Sequence, residues 1–378
     1  MRILLVGEYS RLHNSLKEGL LKIGHEVKIV GTGDDFKNFP VDFSIDSVWF
    51  NNYLFFKFCK KAAFRIFKID LRKVERAIRF YLFLPKLKNF DVVQLINSDA
   101  IETFSEWEIY LYKRLFQQNE KVFLLICGEE TPVIDVLLKN NLKYSILTPL
   151  FKNSNLKEKY FHTLNYTFKK KRKVYDYIKS IAAKIMVSDL DYKIPMEQTE
   201  TKCFFIPNPV NVDKIQVIDN PINNKIIIFH GKNKYGFVKK GSVYFEAALE
   251  EIKLKYGDKI EIVLVNSLPY IKYEKLLNQA HIVLDQVYSF DQGYNALEAM
   301  AKGKVVFTGA EIEFYKQYNL TRRVAINALD NVNYLVEELS DLIDNPKQII
   351  EIGQNARTFI ENEHNYIEIA KKYIEIWN

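Results

Sequence analysis

The chain is short of cysteine, sparing with glycine in its first turn and without a long apolar run, and each shortage removes a class of function. Its three cysteines, Cys59, Cys127 and Cys203, lie far apart in 378 residues and show no metal-ligand spacing. No zinc or other metal site is expected, and the thiols read as small, reduced apolar side chains. No apolar run approaches the roughly 18 residues of a spanning helix. The opening MRILLVGEYS reads as a charged cap on a strand rather than a signal peptide, so a cytoplasmic protein is expected. The turn GEYSRLH carries a single glycine, and Gly31 with Gly33 forms only a short G-x-G. The G-x-G-x-x-G fingerprint is missing, which disfavours a nicotinamide enzyme and leaves no cofactor to expect.

What is present is core-forming residues and uneven charge. A hydrophobic content of 48% allows full cores, and 378 residues suit about two or three domains. The net charge of +7 matters less than its distribution. Between residues 54 and 88, eleven basic residues (Lys57, Lys60, Lys61, Arg65, Lys68, Arg72, Lys73, Arg76, Arg79, Lys86 and Lys88) face only Asp70 and Glu75. Phe55, Phe56, Phe58, Phe64, Phe67, Phe80 and Phe83 are interleaved with them. Such a stretch suits an anionic membrane surface or a lipid diphosphate. The competing reading is a helix pair with its phenylalanines in the core and its lysines in water. Nucleic acid is a poorer partner, because no RNA- or DNA-binding module accompanies the charge. A second basic run, KKKRK at 169–173, is expected to extend the same positive surface.

The order of elements is that of α/β domains. Arg2–Val6, a helical pattern from Leu12 to Ile23, and Glu26–Val30 form a βαβ opening. DVVQLI at 91–96 and KVFLLI at 121–126 read as buried strands. Their polar ends are expected at a ligand crevice, which makes Glu129 and Glu130 candidates for orienting an acceptor hydroxyl or a sugar; capping of the next helix is the competing role for both. Arg11 and His13, in the first βα turn, are candidates for acceptor or phosphate contact, and the alternative is a solvated first helical turn. A second α/β unit starts at Lys225, and Asn278–Thr308 reads as strand, loop, helix, strand. Its loop, Asp285 to Gly293, runs into a helix whose free N–H groups suit a phosphate.

This last stretch resembles the donor-sugar motif of family-4 retaining glycosyltransferases of the GT-B fold, a glutamate, seven residues, then E-A-M-A-x-G-x-P-V. Glu298, Ala299, Met300, Ala301, Gly303 and Val306 match and Val305 fills the proline site, while Phe290 stands where the first acid belongs and Asp291 is one step away. Upstream, Ser188 and the run Ile206, Pro207, Asn208, Val210 resemble the family's segments that close the first domain, with Pro209 replacing a glycine. Gly231 with Lys232, and Lys240 with Gly241, stand where the family grips the donor diphosphate, with Lys234 and Lys239 nearby. Lysines at a helix start oppose the macrodipole unless an anion is bound. Asn266, Ser267, Leu268 and Pro269 stand where the family seats the nucleobase.

The resemblance implies an α/β, GT-B fold with two Rossmann-like domains facing across a cleft. Its boundaries are an acceptor domain at 1–207, a nucleotide-sugar donor domain at 208–361, and a C-terminal helix at 362–378 crossing back to the first domain. It implies retaining transfer of a sugar from a nucleoside diphosphate sugar to a glycan or lipid-linked acceptor. Glu298 is expected on the ribose, Lys232 and Lys240 on the diphosphate, and Gly293, Tyr294 and Asn295 on sugar or phosphate. Asp291, Glu298 and Lys240 are the expected catalytic set. No D-x-D stands at a strand end in the second half, so a metal-free reaction is expected. The alternatives are a non-catalytic sugar-nucleotide-binding subunit, favoured by Phe290, and an epimerase of the same fold. A peripheral place at the inner face of the cell membrane follows if the basic stretch docks there.

Overall fold

The computed structural model describes residues 1–378 apart from 35, 36, 68, 220, 223, 233–235, 267 and 269, and the side chains of 270 and 271. Lys68, Lys234, Ser267 and Pro269, singled out above, lie outside the described residues. Two parallel sheets form the two domains. The first has strands β1 (Arg2–Val6), β2 (Glu26–Gly31), β3 (Phe43–Ser44), β4 (Val92–Leu95), β5 (Lys121–Ile126), β6 (Lys184–Val187) and β7 (Cys203–Phe205). Their order is β3-β2-β1-β4-β5-β6-β7. The second has β8 (Ile226–Lys232), β9 (Ile260–Asn266), β10 (Ile282–Leu284), β11 (Val305–Thr308) and β12 (Ile326–Asn327), in the order β12-β11-β10-β8-β9.

Parallel pairing follows from residues that are apolar on both faces. Ile3 lies between Val27 and Val92, and Val283 between Phe229 and Val306. All of these side chains are buried, as expected for strands covered by helices on both sides. Strand order reverses between β1 and β4 in the first sheet and between β8 and β10 in the second, and crevices at such switch points are where open α/β sheets take ligands. The loops after β1, β8 and β10 border these crevices.

The last helix, Tyr366–Trp377, crosses back to the first domain. Ile369, Ala370, Tyr373 and Trp377 belong to that domain's core, and the Trp377 indole donates to Gln94 Oε1 at 3.2 Å. Gly19 permits the approach, because a Cβ there would lie 2.2 Å from the Tyr366 carbonyl oxygen. The outgoing and returning segments lie side by side. Val210 N–H donates to the His364 carbonyl at 2.7 Å, and Tyr366 N–H to the Val210 carbonyl at 3.1 Å.

The basic stretch divides into two helices with different surroundings. Leu71–Phe83 obeys the core reading in part, since Phe80 and even Arg76 are buried. Leu54–Phe67 buries no side chain. In the second basic run, Lys171 is not on the surface as expected but is buried against Asp99 and Glu108. None of the described helices is long and apolar enough to cross a membrane.

Candidate active site

The loop after β8 and the loop after β10 are joined. Gly241 sits at φ +67°, and a Cβ there would come within 2.9 Å of Val287 Cβ. Val287 N–H donates to the Lys240 carbonyl at 2.9 Å. Lys240 precedes the helix Ser242–Tyr256 by two residues, and its Nζ lies 2.5 Å from Asp285 Oδ1. Lys232, at the end of β8, pairs with Glu246 on that helix. Lys239 crosses the cleft to Glu129 of the first domain and is 2.7 Å from Thr163 Oγ1. Each of these cations is thus held by a carboxylate near a helix start that favours anions.

Two cavities open between the domains. The first is lined by Gly128, Glu129, Tyr144, Asp189, Asp191 and Tyr192 from one side and Lys239, Gln286, Tyr288, Phe290 and Gly293 from the other. The second is lined by Arg11 from the first domain with Lys214, Glu274, Asn278, Glu298 and Lys302. The helix Tyr294–Ala301 separates them, with Gly293 as its N-cap. Glu298 lies in its second turn, about 7.5 Å along the axis from Gly293 at 1.5 Å per residue.

Burial raises the pKa of Glu298, and the charges of Arg11 and Lys302 oppose that rise. Lys302 also holds Glu274 at 3.0 Å and Asn278 at 2.8 Å. Arg11 sits at φ +71° and Ser10 at +51°. Two successive left-handed residues without glycine store strain of the order of 1 kcal/mol or more each, a cost often met where a loop is shaped for function. The loop's support is Glu8, fully buried and accepting from Asn14 N–H at 2.8 Å, with burial pushing its pKa up to about 8.

Several expected residues take other places. His13 lies in neither cavity: it is fully enclosed, its Nδ1 is 2.8 Å from the Gly7 carbonyl and its Nε2 is 3.2 Å from Gln94, and burial lowers its pKa to about 4. A turn residue expected at the cleft is instead a support beneath it. Tyr294 uses its hydroxyl to tie the domains, 2.5 Å from Ser15 Oγ and 2.9 Å from the Pro209 carbonyl. Asn295 is exposed. Glu130 is the capping acid, accepting from Thr131 N–H at 2.9 Å, whereas Glu129 faces the first cavity.

Asp291 is buried beneath that cavity's rim, its carboxylate accepting from Gln292 N–H at 2.7 Å and Leu190 N–H at 3.3 Å. Burial raises its pKa to about 7. Phe290 packs on Tyr144 with ring centroids 5.2 Å apart. Asp191 does line the cavity, with Asp189 and Glu129, and accepts from Phe290 N–H at 2.7 Å and from Ser289 Oγ. Burial raises its pKa to about 6. The sequence reading missed it. The signal was available, since Asp189-Leu190-Asp191 is a D-x-D just past β6. Among the described residues no group of three or more His, Cys, Asp or Glu is placed to hold a metal ion.

Solved structures match this arrangement along its whole length. A sucrose-phosphate synthase from Thermosynechococcus elongatus is 12% identical, with 100% of this chain and 98% of that chain covered and a TM-score of 0.61. The chain has the GT-B fold. Anabaena HepE, solved in complex with UDP and glucose, is 11% identical over 100% of this chain and 99% of that chain, with a TM-score of 0.59. A glycosyltransferase from Rickettsia africae is 15% identical over 99% and 97%, with a TM-score of 0.55. Residues 231–375 match the family model described as glycosyl transferase-like. That span contains strands β9 to β12 of the second sheet, the lysine loop and Glu298. No curated protein sequence matches the chain.

Proposed function

We propose that the chain is a glycosyltransferase moving a hexose-type unit from a nucleoside diphosphate sugar to a glycan or lipid-linked acceptor, with retention of configuration. One observation carries the reading. Glu298, inside the stretch that matches the glycosyl transferase-like model, shares a cleft cavity with Arg11 of the opposite domain, about one and a half helical turns from Gly293 at the other cavity. A donor laid across that helix places its ribose at Glu298, its diphosphate near Lys240 and the helix N–H groups, and its sugar by Gly293.

The chemistry follows from charge. As the bond from the anomeric carbon to the diphosphate breaks, its electron pair stays on the phosphate oxygen, and fixed cations and amides stabilise that charge without reorganising. In this reading Lys240 and Lys232 exchange part of their contact with Asp285 and Glu246 for phosphate oxygens, and no metal is needed. Arg11 faces the donor, and Glu129 orients the acceptor or the sugar. For the carboxylate beside the sugar we assign Asp191 rather than Asp291, because Asp191 borders the cavity and Asp291 lies behind it. Opening and closing of the domains admits donor and acceptor.

A second reading, a subunit that holds the donor without turnover, is favoured by Phe290 at the first acidic position. Incubating the purified chain with a panel of sugar nucleotides separates the two. The transferase reading predicts that at least one raises the melting temperature by mass action and is cleaved to nucleoside diphosphate, with its sugar transferred once acceptor is added. Stabilisation without cleavage supports the holding subunit, and conversion of the donor to an isomer without acceptor supports an epimerase. No stabilisation by any member overturns all three.

A further inference from the structure

We propose that the helix Leu54–Phe67 is a docking element for an anionic lipid surface, which holds the cleft mouth against the membrane. Most apolar side chains of a folded domain find a core, and this helix has none: Leu54 is 85% exposed, Phe55 71%, Phe58 71% and Ile66 68%. At about 100° per residue these four share an arc of roughly 120° on one side of the helix. Cys59, Ala62 and Ala63 are half-buried. Phe64 at 56% and Phe67 at 69% are exposed as well, so large apolar side chains of this helix reach solvent beyond that arc.

Charge selects the occupant. The helix contains Lys57, Lys60, Lys61 and Arg65 and no acidic residue. Among the described residues no carboxylate lies within salt-bridge distance of Lys57, Lys61 or Arg65, although Lys60 holds Asn51 at 3.1 Å. Lys61 borders the apolar arc on the wheel and Arg65 lies within it, so a bilayer that accepts the aromatic side chains also presents its phosphates to the cations. A second copy of this helix would bring like charge against like charge, which disfavours self-association as the cover.

The placement links docking to the cleft. The loop leaving β3 is fixed to the Leu71–Phe83 helix by the buried carboxylate of Glu75, which accepts from Ser47 Oγ at 2.6 Å, Val48 N–H at 2.8 Å and Trp49 N–H at 2.9 Å. Arg76 of the same helix holds Glu102, in the loop after β4, at 2.7 Å. The exposed helix is thereby carried at the carboxyl edge of the first sheet, the edge that also bears Arg11 and Glu129. Docking there favours an acceptor anchored in the bilayer.

The test is co-sedimentation of the full chain with vesicles of phosphatidylcholine alone and with one third phosphatidylglycerol, at low and high salt. Binding is expected only with the anionic lipid, weakening at least tenfold as salt is raised, since surface charges are screened within about 10 Å. Phe55→Ser with Phe58→Ser is expected to abolish it, and Lys57→Gln, Lys61→Gln and Arg65→Gln to weaken it by tenfold or more. These side chains are exposed, so the melting temperature stays at the wild-type value. Vesicle binding unaffected by either set overturns the proposal. So does a dimer in solution that the double serine variant converts to monomer, which assigns the face to self-association. Neither readout depends on turnover, so a chain that binds vesicles but transfers no sugar contradicts the proposed function and leaves this inference standing.

Discussion

Two lysine clusters in this chain have similar composition and opposite surroundings. Around the start of the helix Ser242–Tyr256, Lys232, Lys239 and Lys240 each meet a carboxylate, from Glu246, Glu129 and Asp285. On Leu54–Phe67, Lys57, Lys61 and Arg65 meet none among the described residues. A cation held in place by a carboxylate has a fixed position, and it can pass to a phosphate arriving at the same point with little loss of side-chain entropy. A solvated lysine on an exposed helix has no such geometry and answers to any anionic surface. The first arrangement suits a specific ligand and chemistry; the second suits an extended, unspecific partner.

The sharpest way to break this contrast is to remove one cation from each cluster. Lys240→Ala is expected to lower kcat/KM by roughly 30- to 1000-fold, equivalent to about 2 to 4 kcal/mol of transition-state stabilisation. Unchanged turnover puts Lys240 outside the site. Lys61→Gln is expected to leave transfer to a water-soluble acceptor unchanged and stability within about 0.5 kcal/mol, as for other exposed positions. A large loss of soluble turnover in Lys61→Gln erases the distinction. Excess chelator is expected to leave activity intact if the lysines neutralise the diphosphate as proposed. Abolition with rescue by magnesium or manganese moves that role to a metal and draws attention to Asp189-Leu190-Asp191.

A further contrast concerns the carboxylates beside the first cavity and separates Asp291 from Asp191. Burial raises the Asp291 pKa from 3.8 to about 7, so the folded chain holds a proton that the unfolded chain has lost. That favours folding below the unfolded pKa and is lost as pH rises through the folded value. Asp291→Asn has no such dependence. Its melting temperature is expected to gain on the wild type between pH 4 and pH 7 and to level off above that, and a difference that stays flat across that range shows the carboxyl to be unperturbed. In activity Asp191→Asn is expected to cost more than Asp291→Asn, since only Asp191 borders the cavity. The reverse order restores Asp291 as the residue beside the sugar.

The fold was legible where residues carry their own signal. KVFLLI gave β5 with its observed bounds, and the E-A-M-A-x-G run placed the helix before β11. The turn-borne lysines were legible for a similar reason, because charge at the wrong end of a helix is visible in one dimension. What was not legible depends on partners far along the chain. His13 reads as a free turn residue until β4 supplies Gln94. Asp191 reads as a helix-start acid until Phe290, ninety-nine positions on, offers its N–H. Lys171 looks solvated within KKKRK until Asp99 and Glu108 close over it. Tertiary pairing decides such polar residues, and spacing alone does not report it.

The central claim is that Glu298 holds the ribose of a nucleoside diphosphate across the cleft from Arg11. Calorimetric titration of wild type and Glu298→Gln with the nucleoside diphosphate that most stabilises the wild type tests it directly. Loss of two charge-assisted hydrogen bonds is expected to weaken binding by about 1.5 to 3 kcal/mol, roughly 12- to 160-fold, with the melting temperature of the unliganded chain nearly unchanged. Wild-type affinity in Glu298→Gln would contradict the account, because the residue on which the matched motif and the cavity agree would then not touch the donor.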